Sequence, residues 1–135
     1  MTEDDLEIIT IKPVITNRPY NDLAFLYQDK LMIFVEAQST WSINILIRIL
    51  LYLAETLREY LHDRDMDIHA EKKLKIPMPE FYVVHTGKTE APKTISLKND
   101  FFCSEVCQID LEAKVYNVET DDIIGQYIIF LPCDG

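Results

Sequence analysis

The chain has 135 residues, of which 48% are hydrophobic and 27% charged, as in a soluble globular domain that buries a core without disulfide bonds. Its 13 basic and 23 acidic residues give a net charge of −10, which argues against a protein that binds nucleic acid through Lys and Arg alone. The 3 scattered glycines form no phosphate-binding loop, and the 3 cysteines include no C-x-x-C pair. We therefore expect one domain over residues 1–135.

The same sequence predicts a cytoplasmic protein with no membrane partner. The acidic start MTEDDLEIIT lacks the basic and apolar regions of a signal peptide. The longest apolar stretch, residues 43–54, contains Asn44 and Arg48 and is shorter than the about 20 residues that cross a bilayer. We expect this stretch to form a buried helix and the thiols to stay reduced.

The first third of the chain predicts three strands. Residues 6–14 are rich in isoleucine and end near prolines, which favours a short edge strand. Residues 22–28 and 31–38 are two β-prone runs that predict a hairpin. The run LMIFVEAQ at 31–38 is apolar on both faces until Glu36, so we expect it to be a central strand covered on both sides.

One long helix follows these strands. Leucines recur at helical spacing between residues 42 and 61, and Ile45, Ile49 and Tyr52 widen the apolar face. Trp41, the only tryptophan, is expected to anchor the helix start in the core. The candidates for the N-cap are Ser39, Thr40 and Ser42.

The rest of the chain predicts further strands and an ambiguous last element. Residues 81–85 form a β-run, 88–98 a polar surface loop, and 109–116 a strand that alternates apolar and polar side chains. The run 123–131 fits a helix or a strand. The predicted fold class is α/β, in the α+β sense: a mixed central sheet with one long helix packed on it.

Polar side chains at the end of the second hairpin strand are the best candidates for a site. Glu36 and Gln38 share a face because side chains alternate along a strand. Whether Asp22 joins them depends on the hairpin register. A two-residue turn at 29–30 places Asp22 opposite Ala37, on the wrong face, whereas a three-residue turn at 28–30 places Asp22 opposite Glu36.

Two carboxylates at the end of a buried strand repel each other unless a cation compensates them. Mg²⁺ suits such oxygen ligands, keeps water molecules for a phosphate substrate, and promotes phosphodiester hydrolysis. The plainer alternative is that Asp22 and Glu36 merely cap a strand or face solvent.

Four segments resemble the PD-(D/E)XK nucleases, and within them the recombination-promoting nucleases and their transposase-like relatives. NDLAFL, VEAQST, LIRILLYLAETL and KIPMPEFYVVHTGK occur in the order of that family, within about residues 17–118. The resemblance implies a restriction-endonuclease-like αβββαβ core and a DNA endonuclease that uses Mg²⁺, with Mn²⁺ as the alternative. It also implies that residues 123–131 are helical, and that the usual helix before the first strand is either missing or reduced to the acidic tail with Glu3, Asp4, Asp5 and Glu7.

Carried over by position, the resemblance makes Asp22, Glu36 and Gln38 the catalytic residues. Asp22 and Glu36 would be the metal ligands, and Gln38 stands where the family motif has lysine. A neutral amide can orient water by a hydrogen bond but adds no positive charge to the transition state.

Three further side chains are candidates for substrate contact. Arg48 could reach phosphate from the helix, or it could only extend to the sheet edge and pair with an acid. Tyr20 and Thr40 flank the site in the three-residue register, where packing and helix capping are the ordinary alternatives.

A zinc site formed by His85, Cys103 and Cys107 is less favoured than buried thiols and a histidine at a strand end, because C-x-x-x-C is not the usual zinc spacing.

Three hypotheses remain from the sequence. The first is a Mg²⁺-dependent DNA endonuclease associated with recombination or a mobile element, with DNA as partner and a homodimer left open. The second is an inactive relative that serves as a binding or assembly module, which the acidic charge and the missing lysine favour. The third is a structural domain whose carboxylates face solvent.

Overall fold

A computed structural model of the chain describes residues 6–10 and 23–118, which form a mixed sheet and a long helix. The coarse prediction of a mixed α/β protein is confirmed. The strands are β1 (Leu6–Thr10), β2 (Leu23–Tyr27), β3 (Leu31–Gln38), β4 (Met78–His85), β5 (Thr94–Ser96) and β6 (Glu112–Asn117), and the helix is α1 (Ile45–Asp63).

The six described strands lie in the order β1-β2-β3-β4-β6-β5. β3, β4 and β6 are parallel neighbours, whereas β2 and β5 run in the opposite direction. β3 lies inside the sheet, and residues 32–35 are buried on both of its faces. This confirms the prediction of a central strand from its apolar sequence.

The β2–β3 hairpin adopts the three-residue register. Tyr27 pairs with Leu31, and the pairing continues to Leu23 opposite Val35. This is the alternative in which the sequence predicts Asp22 opposite Glu36. Asp22 itself lies outside the described residues.

The hairpin turn at residues 28–30 has unusual backbone angles and is tied to the helix. Gln28 and Asp29 have φ values of 50° and 55°, in the left-handed region that favours glycine. Asp29 Oδ1 accepts hydrogen bonds from the Tyr60 hydroxyl at 3.2 Å and from Arg64 at 3.0 Å. The Arg64 guanidinium also lies 3.8 Å from the centre of the Tyr60 ring. These contacts from the end of α1 hold the turn in place.

Helix α1 packs on the sheet through the part of the predicted apolar face that carries Ile45, Leu46 and Ile49. Leu46 is buried as expected, but Leu50, Leu53 and Leu61 are only partly buried at the edge of the core. The rest of the buried face consists mainly of isoleucine and tyrosine, because these side chains lie directly over the sheet. Its buried residues are Ile45, Leu46, Ile49, Tyr52, Thr56 and Tyr60.

The predicted N-cap is wrong. The cap residue is Asn44, whose side chain makes no capping bond. Backbone carbonyls in the turn before the helix take over: the amide of Ile45 donates to Ser42 O at 3.2 Å, and that of Leu46 donates to Ile43 O at 3.1 Å. Ser42 Oγ accepts from the amide of Asn44 at 3.2 Å, so it caps this turn and not the first turn of α1.

In the second half of the sheet, two element boundaries differ from the predicted ones. The predicted surface loop at 88–98 contains strand β5, in which Ile95 is buried against the core. A three-residue edge strand is too short to show a periodic pattern. Strand β6 alternates as predicted, but Ile109 precedes it and is exposed.

Residues 123–131 and any element before the first strand lie outside the described residues. Within the described part, no helix combines the length and the apolar character that crossing a bilayer takes.

The backbone angles of the turn yield a test of the hairpin register. Gln28→Gly should stabilise the protein by about 0.5–1 kcal/mol, because glycine removes the steric cost of a positive φ. The matched change Lys30→Gly, at a residue of the same turn whose φ is not positive, should destabilise it. Urea unfolding measures both, and equal effects of the two changes would contradict this turn geometry.

Candidate active site

Two polar side chains are buried at the carboxyl end of β3. Glu36 is 5% exposed and Gln38 is 8% exposed, whereas Ala37 between them is exposed on the other face. They continue the row of Met32 and Phe34, which belong to the core shared with α1. Glu36 and Gln38 therefore point to the side of the sheet that carries the helix, as the period of the strand predicts.

Arg48 of α1 forms an ion pair with Glu36. Its Nη1 atom lies 3.6 Å from Glu36 Oε1, and its side chain is 37% exposed. Arg48 Nε is buried and has no hydrogen-bond partner among the described residues. A guanidinium in this position compensates a carboxylate that burial would otherwise disfavour, while its partial exposure leaves it in contact with solvent.

The Gln38 amide is held at one end only. Its Nε2 donates to Ser42 O at 3.3 Å. Its Oε1 is buried and finds no hydrogen-bond partner within the described part of the chain. An unpaired buried carbonyl oxygen costs about 1–3 kcal/mol, so its presence beside a buried carboxylate points to a ligand or an ordered water at this place.

The described strands bring two more buried polar side chains into this row. His85 at the end of β4 is the register partner of Gln38, and Asn117 at the end of β6 is the partner of His85. Both are almost fully buried. Gln38, His85 and Asn117 therefore form a polar row where three parallel strands end, the usual position of ligand sites in open α/β sheets.

His85 connects the loops that follow β3 and β4. Its Nδ1 lies 3.1 Å from Gln38 O and its Nε2 lies 2.8 Å from Thr89 O. Both partners are carbonyl oxygens, which can only accept, so the ring nitrogen that carries the proton donates to its partner. The amide of Thr86 also donates to Gln38 O at 2.9 Å, so the two strand ends are joined twice.

Asn117 fixes the next part of the β4–β5 loop. Its Oδ1 accepts from the amide of Ala91 at 2.8 Å, and its Nδ2 donates to Ala91 O at 3.1 Å. Further along, the amide of Val115 donates to Lys93 O at 2.8 Å. The loop is thus attached to β6 at two points.

A pocket of about 380 Å³ opens between the two loops. Gly87 makes this close approach possible, because a Cβ there would collide with the carbonyl oxygen of Ser39 and lie 2.8 Å from Cε1 of His85. Trp41 packs against the core, as predicted, and its ring meets that of His85 edge-on at 5.8 Å between centroids. The lining residues are Ser39, Thr40, Trp41, His85, Gly87, Lys88 and Thr89.

The predicted site residues divide into two groups. Glu36, Gln38 and Arg48 come together at the end of β3, and Thr40 is exposed at the nearby pocket. Asp22 and Tyr20 lie outside the described residues. Sequence reasoning missed the contacts of His85 and did not single out Asn117. The available signal was that His85 ends a predicted strand and Asn117 directly follows one.

The donor set at the end of β3 fits a hard cation in part. Glu36 and Gln38 offer oxygen atoms, and Mg²⁺ takes one or two protein carboxylates and keeps several waters. Within residues 6–10 and 23–118, no group of three His, Cys, Asp or Glu side chains is arranged to hold a metal. A magnesium site of the predicted kind would therefore depend on Asp22 as its second carboxylate.

The structure gives no support to the zinc alternative. Both ring nitrogens of His85 are engaged by carbonyl oxygens. The prediction of buried thiols is also wrong, because Cys103 is exposed and Cys107 is only half-buried. They follow a short π-helical turn at Lys98–Phe102, in a surface segment where the neighbouring Phe102 and Val106 are exposed as well.

Comparison of the chain with protein-family models, with curated proteins and with solved structures finds no match in any of the three. The nuclease resemblance therefore remains a prediction from the sequence.

A double-mutant cycle tests the ion pair. Arg48→Met should lower the free energy of unfolding by about 1–2 kcal/mol, because a buried carboxylate loses a compensating charge. In a Glu36→Gln background the same change should cost much less. Arg58→Met, at an exposed arginine of the same helix, is the control, and equal costs of Arg48→Met in both backgrounds would contradict the pairing.

Gly87 yields a test of the loop contact. Gly87→Ala should destabilise the protein by about 1–3 kcal/mol, because the new methyl group meets backbone that the His85 contacts hold in place. Thr86→Ala, at the exposed neighbour, should have little effect. Chemical unfolding measures both variants, and a neutral Gly87→Ala would show that the loops do not approach this closely.

Proposed function

We propose that the protein is a Mg²⁺-dependent DNA endonuclease of the PD-(D/E)XK kind, which hydrolyses phosphodiester bonds. The observation that carries this proposal is the buried pair Glu36 and Gln38 at the carboxyl end of β3, facing α1 and Arg48. Polar groups withdrawn from water reduce stability unless a ligand or partner compensates them. Their place at the end of an inner strand favours a site over a solvated cap.

The order of elements supports the same proposal. β1, β2, β3, α1 and β4 follow one another as the βββαβ part of an αβββαβ core, with β4 parallel to β3 after the helix. The β2–β3 register is the one that the two-carboxylate site requires. A restriction-endonuclease-like core is the finer fold assignment that we propose on this basis. We also propose a cytoplasmic location, which suits the free thiols of Cys103 and Cys107.

In the proposed site, Glu36 and Asp22 would hold the metal. A bound Mg²⁺ makes its water a better nucleophile and offsets charge that builds up on the phosphodiester. Gln38 Oε1, buried on the same face of β3 as Glu36, would orient the attacking water as a hydrogen-bond acceptor.

Arg48 supplies the positive charge that Gln38 cannot. Its half-exposed guanidinium reaches Glu36 at one end and leaves donors toward solvent, where a phosphate approaches. Charge-assisted and bidentate contacts make arginine well suited to stabilise phosphate oxygens. The role that lysine has in the family motif would thus be divided between Gln38 and Arg48.

One observation favours a second candidate, an inactive relative that serves as a binding module. The Arg48–Glu36 ion pair already neutralises the carboxylate without a metal. An inactive protein in which this ion pair only stabilises the fold would have the same contact between Arg48 and Glu36, so a measurement of activity distinguishes the two candidates.

Nicking of supercoiled plasmid DNA in Mg²⁺ or Mn²⁺ tests the proposal. The wild type should nick the plasmid, and Glu36→Gln should reduce the rate roughly 100-fold or more, because it removes a metal ligand and its charge. Glu112→Gln, at an exposed carboxylate of the same sheet, is the matched control and should retain full activity.

Two results would contradict the proposal. Nicking that survives in Glu36→Gln would come from a different centre or protein. No nicking by the wild type over a wide range of protein concentrations, with both metals, would favour the inactive binding module.

A further inference from the structure

We propose that the pocket between residues 39–41 and 87–89 binds one nucleotide unit of a single nucleic-acid strand, with the phosphate on Lys88 and the base against Trp41. The identity of this ligand rests on the proposed function, but the pocket itself does not. The proposed nuclease centre gives no role to Lys88 or Trp41, and the pocket lies beyond the Glu36 centre.

The size of the pocket suits a small ligand of this class. Its volume of about 380 Å³ lies within the range of small-molecule sites, near the lower end. Its lining offers one cation and the hydroxyl groups of Ser39, Thr40 and Thr89. The lining residues contain no carboxylate, although the chain as a whole has a net charge of −10. An anion is therefore the favoured occupant.

Lys88 is placed to contact a phosphate. It is exposed at the rim, directly after Gly87, and makes no ion pair among the described residues. Its ammonium group is a flexible cation that can follow a phosphate into the pocket. Hydroxyl groups donate to phosphate oxygens and add contacts that do not depend on sequence.

Trp41 provides a surface for a base. Its ring is half-buried, so the core and the edge of the His85 ring hold it in one orientation while the remainder lines the pocket. Bases stack on aromatic side chains without sequence preference, each contact contributing about 1–3 kcal/mol. A fixed indole ring loses little conformational freedom when a base stacks on it.

The walls of the pocket are formed before any ligand arrives. His85 joins Gln38 O to Thr89 O, and the amide of Thr86 donates to the same Gln38 oxygen. The pocket begins at Ser39, the residue after Gln38. A strand whose scissile phosphate lies at Glu36 would therefore place a neighbouring nucleotide at the pocket.

The only tryptophan of the chain makes occupancy measurable. The full chain is titrated with a short single-stranded DNA oligonucleotide in EDTA, so that binding is observed without cleavage, and Trp41 fluorescence is recorded. We expect quenching in the wild type and an affinity about tenfold lower for Lys88→Gln. The slope of log affinity against log salt concentration should also become shallower by about 0.7 in Lys88→Gln, because one phosphate contact is lost. Lys93→Gln, at an exposed lysine of the same loop outside the pocket, is the control and should bind as the wild type does.

The outcomes separate this proposal from the nuclease proposal. Quenching that depends on Lys88 in a protein that never nicks DNA would support the nucleotide pocket and contradict the nuclease. An equal loss of affinity in Lys88→Gln and Lys93→Gln, or no quenching in the wild type, would overturn the pocket, whatever the nicking assay shows. Equal affinity for a free mononucleotide and for the oligonucleotide would assign the pocket to a free nucleotide and overturn the strand proposal.

Discussion

The withdrawal of the Glu36 carboxylate from water is the constraint on which the rest of the site depends. A charge at 5% exposure inside an apolar core lowers stability unless cations and hydrogen bonds compensate it. Arg48 provides one such compensation from the facing helix. A fold that keeps this arrangement gives up stability that an apolar residue at position 36 would supply, which is the usual cost of a functional centre.

The parallel pairing of three strands gives this carboxylate its surroundings. Because β3, β4 and β6 end together, Gln38, His85 and Asn117 form one polar row. His85 contacts Gln38 O and Thr89 O, and Asn117 binds Ala91, so the loops that follow the strands are attached to this row. The same ties bring the two loops close enough that only glycine fits at position 87. The proposed metal centre and the proposed nucleotide pocket thus lie next to each other at the same edge of the sheet.

The sequence predicted those features that periodicity controls. The apolar run of β3, the alternation of β6 and the joint orientation of Glu36 and Gln38 follow from the two-residue period of a strand. The sequence did not decide between the two hairpin registers. The observed register requires positive φ values at Gln28 and Asp29, and neither residue type predicts them as a glycine would. The pairing of strands distant in the chain cannot be read from local pattern, so the row through His85 and Asn117 was missed.

The most direct test of the account is the position of a metal in a crystal. Crystals grown with Mn²⁺ should show an anomalous scattering peak within coordinating distance, about 2.0–2.2 Å, of a Glu36 carboxylate oxygen. A carboxylate oxygen of Asp22 should complete the ligand pair. The absence of a peak there at saturating Mn²⁺, with Arg48 still paired to Glu36, would contradict the metal centre.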